Sequence, residues 1–215
     1  MNKKGLTLVE LLAVLVLLSI VALIITPNIY KSIRDYRDSL YDVNVKSIED
    51  ACKNWAADHV AEPTFPNSDG EAILVTLGTL QDGGYIDDPL ADTRNGGNFS
   101  KYSFVVISYS ETEKTTTEES TYIYDYHFYL GINDYIFYGA SLWADENIDV
   151  SSVMVGNSST STITIADLIN SKYISSSIVN PETNIALATT KKIFITCTAI
   201  DENGVTSYEY TYNFE

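Results

Sequence analysis

From Leu11 to Ile25 the only polar side chain is Ser19, and the apolar run reaches back to Leu6 with Glu10 inside it. Twenty residues of helix, Leu6 to Ile25, rise ~30 Å at 1.5 Å per residue, the thickness of a bilayer core. Pro27 follows, a residue that kinks or ends a helix. The pattern then changes. Ile29, Ile33, Tyr36, Leu40, Val45, Ile48, Cys52 and Trp55 recur at helical spacing and form one stripe of an amphipathic helix. The opposite face carries five bases and five acids between Lys31 and Lys53. One helix of about 55 residues is expected, half membrane span and half spine of a soluble domain.

Beyond it, Pro63, Pro66, Asn67 and Asp69-Gly70 mark a loop. Phe104–Tyr109 and Tyr122–Phe128 read as strands, the second alternating aromatic and polar residues. Glu111–Thr121 between them is charged and Thr-rich, the composition of a solvated hairpin loop. Further strands are expected at Ile193–Ala199 and Val205–Phe214, joined by the turn Asp201-Glu-Asn-Gly204. A short helix begins near Asp134, a candidate N-cap, with Ile136, Ala140 and Trp143 at helical spacing.

Charge narrows the function. After Lys53 the chain holds 23 Asp and Glu against 6 Lys and Arg. Such an acidic head gives phosphate no basic patch, so no nucleic-acid partner is expected. The first residues, Met-Asn-Lys-Lys-Gly, form a short positive leader. Secretory signal peptides are cut after the apolar region, at a small-x-small site. Here the small residue, Gly5, precedes the apolar run, so a cut there would leave that run on the mature chain.

Lys-Lys-Gly-Leu-Thr-Leu-Val-Glu-Leu-Leu resembles the class III leader of type IV pilins and pseudopilins. The resemblance covers about the first 30 residues. It implies that a prepilin peptidase cuts between Gly5 and Leu6 and that Leu6 is N-methylated. Glu10 becomes the fifth mature residue, the family's acidic position, and Pro27 the twenty-second, where pilins commonly carry proline. Leu6 departs from the commoner Phe or Met. The placement of Glu10 then has a reason. Cleavage creates a cation at Leu6 inside an apolar layer, and the Glu10 of a neighbouring subunit can pair with it, each charge offsetting the other's desolvation. Without a use, a carboxylate in such a run is a cost of roughly 2.5–3.5 kcal/mol at the bilayer centre.

The chain also repeats itself. Trp55-Ala56 recurs 88 residues on as Trp143-Ala144, and Ile48, Thr76, Leu80 and Tyr85-Ile86 recur at the same offset. Tyr124-x-Tyr126-x-Phe128 returns as Tyr210-x-Tyr212-x-Phe214. A recurrence crossing helix, loop and strand suggests duplication of one unit. The expected architecture is α+β: leader 1–5, membrane and fibre-core helix 6–27, a first module 28–133 with the rest of the long helix on an antiparallel sheet, and a duplicated helix-plus-sheet module 134–215. Some Gram-positive pilins with two modules resemble this plan.

Candidate chemistry is sparse. His59 and His127 are the only imidazoles, no Cys lies at metal-ligand spacing to either, and no HExxH, GxSxG or phosphate loop occurs. Asp87, Asp88 and Asp92, near Asn95 and Asn98, could offer oxygens to calcium, but their spacing is not that of an EF-hand and a solvated loop is preferred. Cys52 and Cys197 permit one disulfide in an exported protein, although two buried thiols are the preferred reading. No cofactor, metal or catalysis is expected. The expected function is a structural pilus subunit, a minor pilin displaying a double head, held in the membrane through Leu6–Ile25 before assembly with other pilin subunits. A pseudopilin of a secretion or DNA-uptake machine and a membrane-anchored adhesion or sensing domain are the alternatives.

Overall fold

The computed structural model describes residues 8–111, 122–202 and 204–215. Gly5 and Leu6 lie outside them, as do the side chains of Ile25 and Pro27 and most of the expected loop Glu111–Thr121. Two compact units form, residues 1–46 with 90–98, and residues 47–89 with 99–215.

Helix α1 runs as one element over Leu8–His59, through Pro27 and about one turn past its expected end. In the first unit it bears a two-residue hairpin, β2 (Ala91–Asp92) with β3 (Gly97–Asn98). Asn44 Nδ2 donates to Ala91 O at 3.0 Å, and Thr93 Oγ1 donates to Arg37 O at 2.9 Å. The Arg94 guanidinium lies 3.5 Å from the centre of the Tyr41 ring. Residues 37, 41 and 44 share one helix face, so three polar contacts tie the hairpin along a single line.

In the second unit, β1 (Ala72–Thr76) leads into the six-residue helix α2 (Leu77–Asp82), and β4 (Phe104–Glu111) and β5 (Tyr122–Tyr129) complete an antiparallel sheet of order β1-β4-β5. The pattern then recurs. Helix α3 (Ile132–Asn147) is followed by β6 (Ser158–Thr164), the six-residue α4 (Ile165–Asn170), a two-residue hairpin of β7 (Val179–Asn180) and β8 (Ile185–Ala186), then β9 (Lys192–Glu202) and β10 (Val205–Phe214). The second sheet has order β10-β9-β6. Its register follows the first: Thr76 pairs with Phe104, and Thr164, 88 residues on, pairs with Lys192. Phe128 pairs with Val105, and Phe214 with Ile193.

Local chemistry explains the short elements. Thr76 caps α2 by accepting from Thr79 N, and Thr164 caps α4 in a reciprocal box with Asp167. The turns after them need left-handed backbone, at Gly84 (φ 75) and at Lys172 (φ 63), and again at Gly96 (φ 75) and Asn184 (φ 54). One expectation is corrected. Asp134 does not cap α3; Gly131 does, in extended conformation and without a side-chain bond, and Asp134 lies in the first turn, where a carboxylate still suits the helix dipole.

The two sheets bury their faces differently. Phe104, Val105, Val106 and Ile107 of β4 are all buried, so this strand is covered on both sides. Its Val105 and Ile107 alternate with Phe104 and Val106, and the latter pair joins Ala72, Tyr129, Tyr135, Ile136, Ala140, Ile193 and Ile195 in one core cluster. That cluster crosses from the first sheet to α3 and the second sheet. In β9 only alternate residues, Ile193, Ile195, Cys197 and Ala199, are buried. The intervening Phe194, Thr196, Thr198 and Ile200 are half-buried.

Candidate functional site

The described start of α1 is apolar on every side. Leu8, Val9, Leu11, Leu12 and every Leu, Val and Ile from Val14 to Val21 are exposed, by 41–81 % of their surface. A helix with no polar face is stable only where other apolar matter surrounds it, lipid or other helices. Ser19 donates to Leu15 O at 2.8 Å, which satisfies its hydroxyl within the helix. Glu10 stands exposed in the first described turn. Of its expected docking partner, the Leu6 amine, no structure is described. Among the described residues no helix is long and apolar enough to cross a membrane; the expected span Leu6–Ile25 begins before them, and its side chains from residue 22 onward are not described.

The expected helical stripe divides in two. Ile48 and Cys52 are fully buried and Trp55 half-buried, whereas Ile29, Ile33 and Tyr36 are 51 %, 44 % and 65 % exposed. One stripe therefore serves the core at its C-terminal end and leaves an open apolar face nearer Pro27.

The head offers little reactive chemistry. Burial, with Glu49 nearby, pushes the Cys52 thiol up to about 12, which leaves it protonated and inert. Cys52 and Cys197 are both buried and free. His59 donates through Nδ1 to Trp55 O at 2.7 Å and stacks on the Trp55 ring, a helix-end role. His127 is exposed and stacks on Tyr138 at 4.6 Å. Asp88 pairs with Lys101 at 2.9 Å. Asp92 is 4 % exposed and accepts from Arg94 N and Nε and from Asn95 Nδ2, so its carboxylate organises the hairpin. Among the described residues no group of three or more His, Cys, Asp or Glu is placed to hold a metal ion.

Contacts between the first sheet and the following elements are polar as well as apolar. Lys172 Nζ meets Asp69 Oδ2 at 3.1 Å, Ser177 Oγ donates to Ala72 O, and Ser103 Oγ donates to Leu130 O at 2.9 Å. Ser175 N donates to the Tyr135 hydroxyl at 2.8 Å. Burial pushes that phenol up to about 12, with the Ser175 bond pulling the other way. Sequence reasoning missed this seam. Its signal was the unbroken run Phe104-Val-Val-Ile, which suits a strand buried on both faces.

Residues 1–26 match the family model described as the prokaryotic N-terminal methylation motif. No curated protein and no solved structure matches the chain. The match covers Gly5, Leu6 and Glu10 and supports a type IV pilin-like or pseudopilin subunit.

Proposed function

We propose that this chain is a minor pilin of a type IV pilus, processed between Gly5 and Leu6, docked through Glu10, and carrying two heads on one stalk. The observation that carries the reading is the methylation motif at residues 1–26, continuous with a helix whose apolar residues are exposed all round. In the precursor, lipid covers that surface through Leu6–Ile25; in the fibre, the helices of neighbouring subunits do. The subunit is non-catalytic, and its acidic head faces outward. The mass of the mature N-terminal peptide tests the reading. N-methyl-Leu6 is the expected first residue, and a chain retaining Met1, or cut after the apolar run, would overturn it.

The double head rests on the repeated element order and on local features that recur at one offset. Tyr85 donates to Asp58 Oδ2 at 2.7 Å, and Tyr173, 88 residues on, donates to Glu146 Oε2 at 2.6 Å. His59 bonds Trp55 O, and Asn147 bonds Trp143 O. Convergence on side-chain contacts, strand register and left-handed turns alike is what descent from one duplicated unit supplies. A doubled head takes more lateral room than a fibre sized for single heads allows. This favours sparse or tip placement, with surface contact as the use of the second head. A pseudopilin carries the same motif, and only the identity of the assembled fibre separates the two. Quantifying subunits in sheared fibres is decisive for the finer claim: the chain is expected to be scarce, and an abundant chain would make it a major subunit.

A further inference from the structure

A groove of about 510 Å³ opens beside the seam between the first sheet and α3. Its walls include Ser108 and Asp125 of β4 and β5, His127, Tyr138 and Leu142, with Lys172 and Asp69 at the rim. We propose that this groove binds a short neutral glycan, a mono- or disaccharide end. The proposal does not depend on how the chain assembles.

The volume lies within the range of ligand pockets, about 300–1,000 Å³. The lining then selects the chemistry. Lys172 and Asp69 pair with each other at 3.1 Å and cancel. Asp125 is exposed and makes no ion pair or hydrogen bond among the described residues, which leaves its carboxylate as an acceptor facing a ligand. An anion would meet the carboxylate of Asp125, whose charge repels it. A wholly apolar ligand would bury Asp125 with nothing to bond it. Among neutral ligands, the lining suits a molecule that offers hydroxyl donors on its edge and C–H surface on its face. Tyr138, 39 % exposed, and Leu142, 37 % exposed, provide apolar surface for that face. The Tyr138 ring is held in place by stacking on His127 at 4.6 Å and by an edge contact with Tyr129 at 5.8 Å, so little side-chain freedom is lost on binding. Ser108, half-buried, adds a hydroxyl that both donates and accepts.

The test is saturation-transfer NMR on the full chain in a detergent without a sugar headgroup. The probes are methyl α-glucoside, methyl β-galactoside, methyl α-mannoside and N-acetylglucosamine, with N-acetylneuraminic acid and choline as the anionic and cationic comparisons. At least one neutral sugar is expected to be saturated, and neither comparison ligand. Asp125→Asn, which changes no buried atom, is expected to weaken binding about tenfold, the scale of one charge-assisted hydrogen bond. Tyr138→Ala is expected to abolish it, with circular dichroism showing the fold retained, and Asp145→Asn outside the groove is expected to change nothing. No saturation of any neutral sugar, binding that survives Asp125→Asn undiminished, or preference for the acid or for choline would each overturn the proposal.

Discussion

Helix α3 seats the second sheet against the first, and at Gly139 it lies close against Tyr173 and Ile174 of the turn after α4. A Cβ added there would stand 2.3 Å from Ile174 Cγ2 and 3.3 Å from Tyr173 O. The Ile174 methyl belongs to a β-branched side chain that is only 4 % exposed, so it has no room to swing aside. Gly139→Ala therefore meets two opposed effects. Helix propensity favours Ala by roughly 1 kcal/mol. Overpacking against a stiff side chain and a backbone oxygen costs about 1–3 kcal/mol. The clash wins, and the variant is expected to lose up to about 2 kcal/mol. Ile174→Ala alone leaves a cavity and is expected to lose about 2–5 kcal/mol. The double variant removes Cγ2 and lets the new methyl fill part of the gap, so its loss is expected to fall short of the sum by about 1 kcal/mol or more. Urea unfolding of the full chain in detergent, followed by tryptophan emission, reads all three, because Trp143 lies on α3 beside the same core. A Gly139→Ala variant as stable as the parent, or strict additivity in the double variant, would refute the close seating of α3. Position 51, 88 residues earlier, already carries Ala; there the counterpart of Ile174, Ile86, is only half-buried.

Glu10→Ala is expected to insert in the membrane and be cleaved as the parent is, while its recovery in sheared fibres falls; normal recovery would show that the acid does not guide docking. Asp92→Ala removes a buried carboxylate that accepts from Arg94 and Asn95 and is expected to destabilise the hairpin on α1 by about 1.5–3 kcal/mol. Faster hydrogen exchange at Gly96 N, which donates to Asp92 O, would register it, and unchanged exchange would count against it. The Thr164 hydroxyl and backbone N–H hold the Asp167 carboxyl below the usual carboxylate range. A depressed folded value gives stability that is present above the unfolded value, about 3.9, and is lost as pH falls through the folded one. Asp167→Asn is therefore expected to flatten the acid side of the stability profile, and an unchanged acid limb would refute the cap's contribution.

The sequence made some of this legible and hid the rest for physical reasons. The long helix announces itself by its period and β5 by alternation, while β4, β9 and β10 stand out as runs rich in β-branched and aromatic residues. The β1–α2 and β6–α4 units do not, because elements of five to seven residues leave too few turns for a period to show. A signal existed in Thr164-x-x-Asp167, a capping box just ahead of apolar residues. The start of α3 was misplaced at Asp134 because an acid in the first turn resembles a cap in sequence, whereas Gly131 starts the helix by backbone conformation alone. The methylation motif was readable because its meaning lies in order along the chain. The seam and its groove were not, since they join positions such as Asp69 and Lys172 that only the fold brings together.

The outer face of the first sheet is where α3 docks, through Phe104, Val106, Ala72 and Tyr129. On the second sheet the same places hold Lys192, Phe194, Thr160 and Glu215. Where Phe104 and Tyr129 bring two rings to 5.7 Å, Lys192 and Glu215 form an ion pair at 3.0 Å. Thr160 and Thr196 bond each other at 3.0 Å further along the same face. The first face is a socket and the second a lid. A helix laid on this second face would find one apolar residue of the four, Phe194, where the first face offers four.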